Sequence, residues 1–460
     1  METRNAPPRP GKAPPEALLA LDAVELRDRL ASGALRARDL AEACLARIRA
    51  VEPQVRAWAW LEEDHVLAEA DRLDALRRTG RPLGALHGVP VALKDIIDTR
   101  RIPTENGTAI DKGRVPTEDA AIVARLRAAG ALVMGKTVTT ELAYLHPGAT
   151  TNPHDAAHTP GGSSQGSAAA VAAGMVPLAI GTQTGGSVIR PAAYCGTVGF
   201  KPTFGAIPRS GILEQSPSLD TVGVFAQSVR GAAMLADVLF GADPGDRATV
   251  ASAPPRLLRT ATDRPPVAPT YALLPTLPGA TLHPDMRGAM DEIAAALGDA
   301  AFEVQLPPQF NEAAAIRERI NFAEMTKCYY AHARRGGDLL SPEIRMAIDA
   351  GNAVLARDYI SALDWPLVLN AGLDEIFHRC DAILCPATEG PAPAGLGSTG
   401  SAICNGLWTL CGTPCVTLPL FNATNGLPLG LQLVGRRGDD ARLLRTARDL
   451  WTRIFEETTP

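Results

Sequence analysis

Short apolar runs alternate with helical patterns from Gly88 onward, and this alternation constrains the fold more than any other feature of the chain. Runs such as VPVALK, ALVMG and VPLAIGT have the length of buried strands. The stretches between them, such as EDAAIVARLRAAG and SAAAVAAG, have apolar residues at helical spacing. Strands that alternate with helices predict an α/β fold, with a sheet covered by helices on both sides.

Composition and charge narrow the class of partner. The 460 residues are 46% hydrophobic and 21% charged, which is typical of a globular protein with a large core. A net charge of -5 provides no basic field for a nucleic-acid backbone. The N-terminus has no apolar segment before a cleavage site, and the longest apolar runs are broken by Gly and Pro. We expect a cytoplasmic monomer or homodimer with a small-molecule partner, and neither nucleic acid nor membrane.

The eight cysteines are thinly spread, which favours a reducing compartment over a disulfide framework. Five of them lie between Cys380 and Cys415, but they do not form the paired C-x-x-C units of a zinc site. We therefore expect buried apolar thiols and no metal.

Two Gly- and Ser-rich segments carry the chemical signal. GGSSQGSAAAVAAG begins at Gly161, and GTQTGGSVIRPAAYCGT begins at Gly181. Glycines joined to helices or strands mark places where the backbone bends sharply or approaches a ligand closely. The TGGS segment also offers consecutive backbone N–H groups around a serine, which is how an oxyanion hole is formed.

A serine nucleophile needs a base, and the sequence offers a lysine rather than a histidine. No His is near Ser187 in sequence, whereas Lys94, one of only six lysines, ends the apolar run VPVALK. A lysine base must be neutral, so burial would have to lower its pKa by roughly 2 to 3 pH units from about 10.4. Strand alternation points Lys94 away from Asp95, so this acid need not pair with it.

At these residues the chain resembles the amidase signature family. The resemblance covers about residues 20 to 455, including SLDTVG at Ser218 and the tail GTPCVTLP followed by LPLGLQLVG. It implies a large mixed β-sheet core with α-helices on both sides. It also implies Ser187 as nucleophile, Ser163 as a bridging serine after a cis peptide bond, and Lys94 as base. The implied oxyanion hole consists of the N–H groups of Thr184, Gly185, Gly186 and Ser187.

The resemblance implies hydrolysis of a small amide through an acyl-enzyme, without a cofactor. Three alternatives share the triad: a carbamate hydrolase, an aryl-acylamide hydrolase and an amidotransferase subunit. Arg190, three places after the nucleophile, is similar to an Arg of the bacterial malonamidase branch that can receive a substrate carboxylate. A structural ion pair is the other interpretation of Arg190. The remaining candidates for substrate binding are Gln183, Ser164, Gly162 and Tyr144.

Three other functions compete with this hypothesis. Gly130–Thr137 matches the phosphate-loop pattern, but Gly130 ends a predicted helix and ALVM is itself a predicted strand. Gly162–Gly166 matches G-x-S-x-G, which would make Ser164 an esterase nucleophile, but no apolar strand precedes it. A non-catalytic binding protein is disfavoured because Lys94, Ser163 and Ser187 occur together.

We predict one amidase domain over residues 19–460. Its expected parts, after a flexible Pro-rich arm at 1–18, are a helical lead-in at 19–80, the catalytic core at 81–240, a surface connection at 241–269, and at 270–460 the C-terminal part of the sheet with the pocket helices.

Overall fold

In the computed structural model of the chain, residues 15–253 and 255–455 are described. The helices are Pro15–Leu19 (α1), Ala23–Ser32 (α2), Ala37–Val55 (α3), Glu63–Arg78 (α4), Ala121–Ala128 (α5), Gln165–Ala172 (α6), Ile189–Cys195 (α7), Val229–Leu239 (α8), Leu257–Thr262 (α9), Pro284–Leu297 (α10), Ala313–Cys328 (α11), Tyr330–Gly336 (α12), Pro342–Asn352 (α13), Ala356–Phe377 (α14), Ile403–Leu410 (α15) and Asp440–Phe455 (α16). The strands are Trp58–Leu61 (β1), Pro90–Lys94 (β2), Leu132–Thr137 (β3), Leu178–Gln183 (β4), Val198–Lys201 (β5), Thr221–Ala226 (β6), Tyr271–Leu273 (β7), Ala301–Glu303 (β8), Ala382–Pro386 (β9), Cys415–Asn422 (β10) and Pro428–Val434 (β11).

All the strands join one 11-stranded mixed sheet in the order β1-β3-β2-β4-β6-β5-β10-β11-β9-β7-β8. Strand β2 runs parallel to both β3 and β4, and β7 runs parallel to β8 and β9, while the other pairs are antiparallel. Strands β2 to β6 are buried at every residue, which requires cover on both faces of the sheet. The predicted α/β fold with a mixed sheet is confirmed.

The parallel pairing of β2 with β4 places the ends of both strands at one edge of the sheet. Lys94 is the last residue of β2 and Gln183 is the last residue of β4. Helix α6 runs back from this edge to the start of β4, so Ser163 and Ser164, which precede α6, lie there too. The fold therefore gathers segments that are far apart in sequence at one place.

Small residues let α6 lie against the strands and loops around it. A side chain at Gly166 would place its Cβ 2.3 Å from the carbonyl oxygen of Ala57 and 2.5 Å from the amide nitrogen of Val138. Such distances are far below van der Waals contact, so only glycine fits this position. The close packing fixes the position of the two serines that precede the helix.

Three features differ from the predictions. Helix α9 forms inside the segment predicted to be a surface connection, because Leu257 and Ala261 are fully buried there. Helix α1 begins at Pro15, within the range assigned to the arm, and the rest of that arm lies outside the described residues. The strands β6, β7 and β8 were not predicted. Near the N-terminus, the apolar run VRAWAWL has the length of a short strand, and its residues Trp58–Leu61 form β1.

Across the described residues, no helix is both long and apolar enough to cross a membrane.

Candidate active site

Lys94 is completely buried at the end of β2 and makes two short hydrogen bonds. Its Nζ donates to Oγ of Ser163 at 2.7 Å and to Oγ1 of Thr182 at 2.8 Å. Burial lowers the pKa of Lys94 to about 7, while the negative charge of Asp220 opposes that fall. A substantial fraction of the amine is therefore neutral at neutral pH and can accept a proton from Ser163.

The peptide bond between Gly162 and Ser163 is cis, as the resemblance implied. Both glycines before Ser163 are required by close contacts. A Cβ at Gly161, whose φ is +82°, would lie 2.8 Å from Cα of Pro191, and one at Gly162 would lie 2.6 Å from Cγ2 of Thr399. The segment before the bridging serine is thus wedged between α7 and the loop before α15.

Arg190 is buried in α7, with 2% of its surface exposed, and its guanidinium is bonded to three protein oxygens. Nη2 donates to the carbonyl of Gly162 at 2.8 Å and to Oγ1 of Thr399 at 3.2 Å, and Nη1 donates to the carbonyl of Gly400 at 2.9 Å. Burial lowers the pKa of Arg190 to about 10. Neither of the two interpretations from sequence describes these contacts, because the partners are neutral oxygens and not a protein carboxylate.

In the loop after β4, two backbone N–H groups point outward from the loop, away from the donors that hold its carbonyls. Oγ1 of Thr409 donates to the carbonyl of Gly185 at 2.8 Å, and the amide of Arg190 donates to the carbonyl of Gly186 at 2.8 Å. In a planar trans peptide the C=O and the following N–H point in opposite directions, so the N–H groups of Gly186 and Ser187 point outward. Neither N–H has an acceptor among the described residues.

Gln183 completes this loop from inside. Its Oε1 accepts hydrogen bonds from the amides of Val188 at 2.9 Å and Ile189 at 3.0 Å, and its Nε2 donates to Oγ1 of Thr409 at 3.0 Å. The side chain is fully buried. A substrate contact through Gln183 stays a prediction, and these bonds do not favour it.

Ser187 lies between the outward N–H groups and the start of α7. It is 8% exposed, and its hydroxyl has no hydrogen-bond partner in the described part of the chain. This is the environment in which a hydroxyl remains available to a ligand.

Ser164 faces the other way. Its Oγ donates to the carbonyl of Thr182 and accepts from the amide of Thr182, both at 3.1 Å, and its side chain is fully buried. This hydroxyl joins the start of α6 to β4 and is not available to attack a substrate. The placement argues against the esterase hypothesis and does not favour the predicted substrate contact of Ser164.

Asp220 holds the start of the loop after β4 through a hydrogen bond from Thr184. It accepts hydrogen bonds from Oγ1 of Thr184 at 2.5 Å and from the amides of Gln215 at 2.8 Å and Ser216 at 2.9 Å. Burial raises the pKa of Asp220 to about 6, although these three donors oppose the rise. The carboxylate therefore adjusts both the position of Thr184 and the electrostatic field at Lys94.

The phosphate-loop pattern does not form a phosphate site. Lys136 lies inside β3, fully buried, and donates to Oγ1 of Thr104 at 2.7 Å and to the carbonyl of Ile97. Asp95 lies 3.7 Å from Lys136, in agreement with the prediction that it need not pair with Lys94. The lysine of this pattern is thus held in the core and cannot reach a nucleotide.

Sequence reasoning assigned no role to several residues of the site. Thr182 accepts from Lys94, and Asn405 lies against Gly186, where an added Cβ would be 2.4 Å from Oδ1. Tyr144, which sequence reasoning did select, is half-buried and electrostatically coupled to Arg317 on α11. Asn405 ends the Gly-, Pro- and Ala-rich stretch PATEGPAPAGLGSTGSAICN, which the sequence indicates as a candidate pocket wall without a role for this residue. Arg317 had no such signal, since it lies on a helix remote in sequence from the glycine-rich segments.

The cysteines take no part in this site. All eight are free and seven are buried, with burial raising the pKa of Cys44 to about 12. The described residues contain no group of three or more His, Cys, Asp or Glu side chains placed to hold a metal ion.

Known proteins are similar to this chain over most of its length. The family model described as Amidase matches residues 39–444. A glutamyl-tRNA(Gln) amidotransferase subunit of Chloroflexus aurantiacus is 35% identical over 467 residues, which covers 93% of this chain and 95% of that protein.

Solved structures are also similar over nearly the whole chain. One is described as a vestigial protein complex that reveals the evolutionary origins of an s-triazine catabolic enzyme; its TM-score is 0.87 at 29% identity, covering 95% of this chain and 99% of that one. The peptide amidase of Stenotrophomonas maltophilia has a TM-score of 0.82 at 30% identity, covering 95% and 97%. The chain belongs to the amidase signature family, whose enzymes act on carbon–nitrogen bonds.

Proposed function

We propose that this chain hydrolyses the C–N bond of a small amide through an acyl-enzyme on Ser187. The observation that carries the proposal is the 2.7 Å hydrogen bond from buried Lys94 to Ser163, at the sheet edge that also carries Ser187. A lysine whose pKa is brought near 7 is matched to proton transfer at neutral pH. Lys94 is then the base, Ser163 the relay and Ser187 the nucleophile.

The three residues can carry out every proton transfer of the reaction, so the proposed mechanism needs no cofactor. As Oγ of Ser187 attacks the carbonyl carbon, its proton passes to Ser163, and the Ser163 proton passes to Lys94. The oxyanion is stabilised by outward N–H groups of the loop from Thr184 to Ser187. The relay then returns the proton to the departing nitrogen as the C–N bond breaks. Water releases the acyl group by the reverse route.

The test is turnover by the purified chain on a panel of carboxylate-bearing amides, neutral anilides and aryl carbamates. The proposal expects amine release from at least one amide and none from the Ser187→Ala variant. A preference for carbamates would support the carbamate alternative with the same triad. Amine release that survives in Ser187→Ala would contradict the proposal.

A second candidate is the role of an amidotransferase subunit, favoured by the 35% identity to the protein of Chloroflexus aurantiacus. This function predicts that the chain alone releases little ammonia from glutamine and that added partner proteins stimulate the release. Efficient hydrolysis of a small amide by the isolated chain would favour the amidase proposal over it.

A further inference from the structure

A second arginine lies beside the active-site loop, and its guanidinium has no strong partner. Arg317 projects from α11 over two glycines. A Cβ on Gly185 would be 3.4 Å from its Nη1, and one on Gly406 would be 2.7 Å from its Nε. Any side chain at Gly406 would displace the guanidinium, so the absence of a side chain there makes room for it.

The donors of Arg317 are unused. Among the described residues, none of its N–H groups forms a hydrogen bond, and its one ion pair is a contact of 3.8 Å with the more than half-exposed Glu318. The side chain itself is only 16% exposed. A guanidinium has five donors and keeps its charge, so one that is largely withdrawn from water without acceptors is free to bind an anion.

A small cavity lies against this guanidinium. It measures about 180 Å³ and has apolar walls that include Phe310, Ile403 and Leu407. Polar groups contribute almost as much of its lining, among them the carboxylate of Glu318 beside Arg317. Ala402 also borders the loop that carries Ser187, because the Cβ of Ala402 lies 3.7 Å from the position that a Cβ on Gly185 would take. The cavity thus combines apolar walls with one largely buried cation next to the loop that carries Ser187, while the carboxylate of Glu318 at the same cavity is more than half-exposed to water. Such a site suits a short aliphatic group that ends in a carboxylate.

Arg317 contrasts with Arg190 in this respect. Both terminal nitrogens of Arg190 already donate to Gly162, Thr399 and Gly400, so a carboxylate bound by them would have to replace a protein acceptor. Its buried Nε is the one nitrogen of this guanidinium without a partner among the described residues. Arg317 would gain an acceptor without losing one. The charge of Arg317 also acts on the hydroxyl of Tyr144, although Tyr144 does not line this cavity.

We infer that Arg317 is the specificity-determining residue of this active site and selects small amides that carry a carboxylate. The inferred substrate class rests on the proposed amidase function, whereas the binding measurement described below does not depend on that function. In this role the guanidinium of Arg317 contacts the substrate carboxylate and takes no part in proton transfer.

The kinetic test uses a matched pair of chromogenic substrates, succinic acid mono-4-nitroanilide and butyric acid 4-nitroanilide, which differ by a carboxylate in place of a methyl group. The wild type should prefer the succinyl substrate. Arg317→Met should lower kcat/KM for it by roughly 10- to 100-fold, the range for a charged hydrogen bond, and change the butyryl substrate by less than about twofold. Arg319→Met, an exposed arginine on the same helix, should leave both unchanged.

A neighbouring variant tests the sign of the electrostatic effect. Glu318→Gln removes the carboxylate that lies 3.8 Å from Arg317 and should increase kcat/KM for the succinyl substrate only. Equal losses on both substrates in Arg317→Met, or no preference of the wild type for the succinyl substrate, would overturn the inference.

A binding measurement separates this inference from the proposed function. In the Ser187→Ala variant, calorimetry with succinamate should show binding that is lost when Arg317→Met is added and kept when Arg319→Met is added. This result would support the anion site even if no amide were hydrolysed. Binding that survives the loss of Arg317, or that depends on Arg190 instead, would overturn the inference even if hydrolysis through Ser187 were established.

Discussion

Arg190 donates a 2.8 Å hydrogen bond to the carbonyl of Gly162, which belongs to the cis peptide bond before Ser163. Arg190 also follows Ser187 by three residues, so a single side chain ties the nucleophile loop to the relay serine. The same guanidinium holds the loop at Thr399 and Gly400. The relative position of the two serines therefore depends on a buried cation that no substrate needs to contact.

We expect Arg190→Met to destabilise the fold and to impair all substrates alike. Three protein oxygens would lose their donor, so the free energy of unfolding should fall by roughly 2 to 4 kcal/mol. Arg190→Lys should not restore it fully, since an ammonium cannot reproduce the planar fork that reaches both loops. Urea unfolding and kcat/KM on the succinyl and butyryl anilides measure the two effects. A loss confined to the succinyl substrate, with stability unchanged, would show a substrate-binding role instead.

The pH dependence of activity should report Lys94. Its pKa in the folded protein is lowered to about 7, and the base form is the deprotonated one, so kcat/KM should rise with pH through about 7 and be lost as pH falls. Lys94→Ala should abolish turnover, and Lys94→Arg should not rescue it because a guanidinium stays protonated. A profile that is flat between pH 6 and about 9, with chemistry rate-limiting, would argue against a titrating lysine.

Asp220→Asn should shift the pH at which activity is lost on the acidic side of the profile, which is called the acidic limb below. The Asp220 carboxylate raises the pKa of Lys94 against the effect of burial, so its removal should lower the pKa further and shift the limb to lower pH. Asp220 itself titrates near pH 6, so the variant also separates the two groups. A limb that stays in place would show that the charge of Asp220 does not act on the group that controls activity, and a shift to higher pH would contradict the electrostatic argument.

The two adjacent serines should behave in opposite ways. Ser164→Ala leaves the amide of Thr182 without its acceptor and should cost about 1 to 2 kcal/mol of stability while most activity remains. Ser163→Ala removes the acceptor of the Lys94 hydrogen bond and should remove most activity. Thermal unfolding and turnover of the two variants give the comparison. Higher activity in Ser163→Ala than in Ser164→Ala would reverse the assignment of the relay.

The elements that position the triad were predictable because their signals are local. VPVALK has the length and composition of a buried strand, and Lys94 stands out at its end as a charged residue in an apolar run. The roles of Ser163 and Ser187 came from the family resemblance of the glycine-rich segments around them. Here local propensity and tertiary packing agree.

The parts that escaped prediction depend on contacts between distant segments. The partners of Arg190 are far from it in sequence: Gly162 is 28 positions away and Thr399 is 209 positions away. Nothing near Arg190 in sequence therefore reveals these contacts. Arg317 lies on a helix with many charged residues, where a charge is normally solvated. Strand β7 is only three residues long, which is too short to show an alternating pattern.

The location of a trapped acyl group tests nucleophilic attack by Ser187 directly. The chain is mixed with an activated 4-nitrophenyl ester, quenched in acid during the burst, and analysed by intact mass and peptide fragmentation. Acylation of Ser187 predicts one added acyl mass on this residue, absent from Ser187→Ala and kept in Ser164→Ala. An adduct on Ser164, or rapid turnover of the ester and the amide by Ser187→Ala, would contradict it.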